Sequence, residues 1–132
     1  MTNPPIRVLV IDDEETFRNN LVRMLLSHGM SAEGVGDGAG ALQALDASAY
    51  DVALLDLKMP GMAGEEVLAA IRQRGCPVEV VVLTGHAAMD AAIGLLKQGA
   101  YDYVLKPADF DELLDKVRKA FERRELNVKA AG

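Results

Sequence analysis

A doubly wound α/β fold is predicted by three features of the 132-residue sequence. Short β-branched runs recur along the chain, segments with helical periodicity alternate with them, and most of the runs end in polar residues. Nearly continuous apolar runs are what strands covered on both faces require, and strict βα alternation predicts a parallel sheet with right-handed crossovers.

The first run is Ile6-Arg7-Val8-Leu9-Val10-Ile11. A helix follows, with Phe17, Leu21, Met24, Leu25 and His28 on one stripe and Gly29 as its stop. A weaker strand covers 31–35, where Glu33 and Gly34 suggest a sheet edge, and Ala41, Leu42 and Leu45 mark a short helix. Val52-Ala53-Leu54-Leu55 is the next strand. Val67, Leu68 and Ile71 mark the next helix, closed by Gly75 and Pro77. Strand 78–83 leads to a helix over 88–98 that carries Met89, Ala92, Ile93 and Leu96, with Gly99 behind it. Strand 101–105 leads to a last helix with Phe110, Leu113, Leu114, Val117 and Phe121 on one stripe and Asp109 as N-cap. Residues 122–132 are charged and then small, so fraying is expected there. Five such units suit the flavodoxin-like strand order 2-1-3-4-5, although alternation alone does not dictate that order. One domain over 1–132 is expected, with its core over about 6–123 and a frayed or linker tail over 124–132.

Half of the residues are hydrophobic, enough for a core without disulfides, and the single Cys76 cannot form an internal bridge. That favours a reducing compartment. The longest stretch free of Asp, Glu, Lys and Arg, Val80 to Met89, is about half of the roughly 18 residues of a membrane span. The first residues lack the apolar region of a secretory signal. A cytoplasmic location without membrane attachment follows by elimination. Twenty acidic residues against 14 basic ones give a net charge of −6, which disfavours direct nucleic-acid binding.

Ligands of open α/β sheets bind at the carboxyl ends of the strands. There the strands end in Asp12-Asp13, Asp56, Thr84 and Lys106-Pro107. Converging carboxylates repel one another, and a hard divalent cation offsets that repulsion. Lys106 suits a phosphoryl oxygen, and the Thr84 hydroxyl can donate to another. Each residue alone has a plainer reading as a helix cap, a turn residue or a solvated loop side chain. All of them meeting at one sheet edge favours a site.

These residues resemble the receiver domains of bacterial response regulators in two-component signalling, the chemotaxis-regulator-like fold. The likeness covers about Ile6 to Arg123, and Asp56-Leu57-Lys58-Met59-Pro60-Gly61 through Gly64 resembles the signature around the phosphoacceptor. Thr84-Gly85-His86 and Gly99 to Tyr103 look most like receivers attached to transcriptional activators. The resemblance implies Asp56 as phosphoacceptor. It implies Mg²⁺ (or Mn²⁺) on Asp13, Asp56 and the backbone carbonyl of Lys58, with Asp12 acting through a water. Lys106 would pair with the phosphoryl group through a cis bond to Pro107, Thr84 would hydrogen-bond it, and Tyr103 would be the aromatic switch. Many relatives carry Phe after the Lys-Pro pair, where this chain has Ala108.

The expected donor is a histidine kinase, a phosphotransfer protein or a small acyl phosphate. The expected response is a change in the face built from 88–98, 101–105 and 109–121, read by a downstream effector. The chain is expected to catalyse only its own phosphorylation and dephosphorylation, as a monomer or weak homodimer. Lys58 and His86 either shield the phosphoryl group from water or are exposed loop residues. An aspartyl-phosphate phosphatase would show Asp-x-Asp, but Asp56 is followed by Leu57-Lys58. A nucleotide fold would show a glycine-rich phosphate loop after a strand, and none is present. The intact set of five residues argues against a docking-only pseudo-receiver.

Overall fold

The computed structural model describes residues 4–59, 61–106 and 109–131. The elements alternate as expected: β1 (Arg7–Ile11), α1 (Glu15–Ser27), β2 (Ser31–Val35), α2 (Gly38–Ala47), β3 (Val52–Asp56), α3 (Gly64–Gln73), β4 (Glu79–Thr84), α4 (Met89–Lys97), β5 (Asp102–Leu105) and α5 (Phe110–Ala131). All strand pairs are parallel, and the order is β2-β1-β3-β4-β5, as the flavodoxin-like expectation has it.

Period-two alternation sorts the strand residues into two apolar layers. Leu9, Ile11, Ala53, Leu55, Val80 and Val82 face Ala41, Val67, Leu68, Ile71 and Leu95 of α2, α3 and α4. Val8, Val10, Leu54, Val81, Leu83 and Val104 face Leu21, Leu25, Leu113, Leu114 and Val117 of α1 and α5. The central strands are therefore buried on both sides, which is why they read as unbroken apolar runs, whereas Ser31, Glu33 and Gly34 of edge strand β2 are exposed. Helix ends follow local chemistry. The Asp37 side chain accepts from the Gly40 N–H at 2.7 Å and Asp109 from the Asp111 N–H at 2.9 Å, while Gly29, at φ 82, closes α1.

The last helix departs from expectation by running through 122–131 rather than fraying from Glu122. Arg124 Nη1 lies 3.3 Å from the buried Asp51 carboxylate, and Asn127 donates to Glu79 Oε1 at 3.4 Å. Both partners open strands at the amino edge of the sheet, so the extension has polar anchors that helical periodicity does not reveal. The expected cis bond at Lys106-Pro107 and the Ala108 substitution lie outside the described residues. Among those described, no helix is long and apolar enough to cross a membrane.

Candidate functional site

Parallel strands of similar length deliver their carboxyl ends to one edge, and five of the expected residues arrive there. Asp12 follows β1 and is wholly buried. Burial of a carboxylate is tolerated when its polar atoms are paired. The Asp12 N–H donates to the Val35 carbonyl at 3.1 Å, and its carbonyl accepts from Arg18 Nη1 at 3.0 Å. Its Oδ1 accepts from the Glu14 N–H at 2.9 Å, and its Oδ2 pairs with Lys106 Nζ at 2.9 Å.

Asp56 is the last residue of β3 and is 5% exposed. Its Oδ1 accepts from the Lys58 N–H at 3.2 Å and lies 3.6 Å from Lys106 Nζ. Burial is the strongest influence on this carboxyl and pushes it above its ordinary range; the Asp12 carboxylate acts in the same direction. The Lys58 N–H and the Lys106 ammonium oppose them.

Asp13 is exposed, and carboxylate oxygens of Asp12, Asp13 and Asp56 lie within 4.8 Å of one another. Three hard oxygen donors against a single ammonium are a set that could hold a divalent metal ion, and the donor chemistry fits Mg²⁺ rather than a soft metal.

Lys106 reaches the acids because its N–H bonds the Thr84 carbonyl at 2.8 Å, fixing the residue after β5. Its ammonium also lies 4.3 Å from the centroid of the Phe17 ring, a cation–π distance. Asp13, Glu14, Asp56, Lys58, Gly85 and Lys106 line an open cleft of about 460 Å³. A larger groove of about 850 Å³ sits at the opposite end of the sheet and contains none of the predicted residues. Chemistry, not volume, therefore singles out the cleft.

The remaining predicted residues border this cluster. Thr84 is buried, and its hydroxyl donates to the Gly85 carbonyl at 3.0 Å. Tyr103 is half-buried against the α2–α4 layer. The Lys58 and His86 side chains are exposed, and His86 opens a short 3₁₀ turn before α4. Sequence reasoning did not single out Phe17 as a partner of Lys106 or Arg18 as a partner of Asp12. It also passed over the charged group at the far edge, where Asp51 and Glu79 meet Arg7, Arg124 and Asn127. The available signal was an acidic residue opening each of two apolar strands.

A family model for the response regulator receiver domain matches residues 8–118. The DNA-binding transcriptional regulator NtrC of Escherichia coli K12 is 40% identical over 113 residues, covering 86% of this chain and 24% of its own length. The sensory transduction protein RegX3 of Mycolicibacterium smegmatis is 37% identical over 116 residues, covering 88% of this chain and 50% of that protein. The chain thus spans between a quarter and a half of these relatives. A crystal structure of the signal receiver domain of a LuxO repressor-type protein from Vibrio parahaemolyticus superposes with a TM-score of 0.88 at 30% identity, covering 97% of this chain and 98% of that one.

Proposed function

The chain belongs to the response regulator receiver family, and from that premise we propose that Asp56 accepts a phosphoryl group with the help of a divalent ion held by the neighbouring acids. The observation that carries this reading is the meeting of Asp12, Asp13 and Asp56 within 4.8 Å, with Lys106 Nζ 3.6 Å from Asp56. Asp13, Asp56 and the Lys58 backbone carbonyl are the ligands we assign to Mg²⁺, with Mn²⁺ as a substitute and Asp12 acting through a water. When bound, Mg²⁺ supplies positive charge against the charge on the phosphoryl oxygens.

The chain's own residues then do the following. An Asp56 carboxylate oxygen attacks phosphorus in line, and the bond from phosphorus to the donor's imidazole nitrogen or acyl oxygen breaks. Lys106 faces a phosphoryl oxygen with its ammonium, and Thr84 turns its hydroxyl from the Gly85 carbonyl toward another. That rotation opens space beside β4 into which Tyr103 moves, altering the surface of α4, β5 and α5 that a downstream effector reads. Lys58 and His86 border the cleft and tune the lifetime of the acyl phosphate. The donor in this scheme is a sensor histidine kinase or phosphotransfer protein in the cytoplasm, and the chain turns over nothing but its own phosphoryl group.

Fluorine NMR of added beryllofluoride, a mimic of the phosphoryl group, tests the reading. Bound fluorine signals that require both Mg²⁺ and Asp56 are expected. Equal binding by Asp56→Asn would overturn it.

A further inference from the structure

Asp13 is the weakly restrained member of the acidic trio. Asp12 is buried and Asp56 sits in the sheet, but Asp13 is exposed, and among the described residues no hydrogen bond holds its side chain. Its direction depends on the peptide plane that joins it to Asp12. The oxygen of that plane is held from α1, where Arg18 Nη1 donates to the Asp12 carbonyl at 3.0 Å.

The path of the Arg18 side chain is built into β2. A Cβ added to Gly34 would stand 2.9 Å from Arg18 Cγ and 3.0 Å from Cδ, and one on Gly36 would stand 3.1 Å from Nη1. Neither glycine has positive φ, so neither is required by its backbone conformation. Together they form a track without side chains along which the arginine stem lies. The same stretch receives the Asp12 N–H, which donates to the Val35 carbonyl between the two glycines.

Resting on the metal reading above, we infer that Arg18 is a positioning residue for the divalent-ion site. Seated on Gly34 and Gly36, it fixes the Asp12-Asp13 peptide so that the Asp13 carboxylate faces Asp56. Electrostatics makes the idea sharp. Arg18 is a cation near a cation site, so removing its charge alone should tighten metal binding. Weaker binding on its removal therefore reports lost geometry.

The test is calorimetric titration of Mn²⁺ into wild type, Asp13→Asn, Arg18→Ala, Arg18→Lys, Gly34→Ala and the Arg18→Ala/Gly34→Ala double variant, with thermal melts to show that each is folded. Arg18→Ala should bind Mn²⁺ about tenfold more weakly, the usual cost of losing a group that orients a ligand. Arg18→Lys, which keeps an N–H donor, should recover part of the loss. Gly34→Ala should weaken binding when Arg18 is present and add nothing when it is absent, since the alanine acts by displacing the arginine. Wild-type affinity in Arg18→Ala, or an equal Gly34→Ala penalty in both backgrounds, would overturn the inference and leave the metal reading standing. Identical titrations of wild type and Asp13→Asn would overturn both.

Discussion

Lys106 Nζ lies 2.9 Å from Asp12 Oδ2, a contact that carries the side chain just after edge strand β5 across the ends of β4 and β3 to the turn after β1. The ammonium thereby faces both buried carboxylates. The role in transfer proposed for it predicts slower uptake when it is lost, whereas its charge beside the acids competes with a metal ion. In Lys106→Met, phosphoryl uptake from acetyl phosphate should fall by about a hundredfold or more, the cost of losing one preorganised charge partner. Mg²⁺ affinity should hold or tighten, because a competing cation is gone. Quenched-flow uptake beside a Mg²⁺ titration checks this, and parallel losses in the two would show that Lys106 acts by holding the cleft's shape.

Thr84 donates to the Gly85 carbonyl, a bond that its hydroxyl must leave to reach a phosphoryl oxygen. Thr84→Ala should therefore accept a phosphoryl group within about tenfold of the wild-type rate, since positioning and charge come mainly from other residues. The response, not the chemistry, should suffer. Beryllofluoride should shift the amide resonances of Tyr103 and α4 in wild type and leave them nearly still in Thr84→Ala. Full shifts in the variant would remove Thr84 from the switch.

Glu79 is buried at the start of β4, and burial pushes its carboxyl above its ordinary value of 4.5 despite Arg72, Arg123 and Asn127. Between that value and the raised one, the unfolded chain has released its proton while the folded chain keeps it. Stability must then fall as pH rises through that window. Glu79→Gln cannot titrate, so wild type should lose ground to it as pH rises above 4.5, until the folded carboxyl is ionised too, by up to about 1.4 kcal/mol for each pH unit separating the two values. Urea unfolding of both proteins at several pH values checks the sign. A wild type that gained on the variant as pH rose would contradict the account.

Arg124 is one of two links between the α5 extension and the amino edge of the sheet, with Nη1 3.3 Å from Asp51 Oδ1, the other being Asn127 on Glu79. Arg124→Met should cost about 2 kcal/mol, less than the 3–5 typical of a broken buried pair, because Arg7 still faces Asp51. Helical carbon-13 shifts over 122–131 should fade in the same variant. Unchanged shifts would mean that the extension stands without its anchor.

The fold was legible because its local signals agree with its global topology. Val52 to Leu55 and Val78 to Leu83 read as strands covered on both faces, and all but Val78 lie in β3 and β4, buried. The candidate site was legible for the same reason, since the polar residues that end parallel strands share one edge whatever the strand order. The individual pairings within that site were not legible. That Asp12 is buried while its neighbour Asp13 is exposed depends on Lys106 and Arg18 arriving from elsewhere. Helix α5 reads as ending near Phe121 because its continuation is held by Asp51 and Glu79 rather than by an apolar stripe of its own.

Phosphoryl uptake on Asp56 is the central claim, and intact-mass spectrometry after incubation with acetyl phosphate and Mg²⁺ tests it most directly. Wild type should gain the mass of one phosphoryl group, with no gain when Mg²⁺ is chelated and none in Asp56→Asn. An equal gain in Asp56→Asn, or no gain in wild type that also fails to bind beryllofluoride, would contradict it.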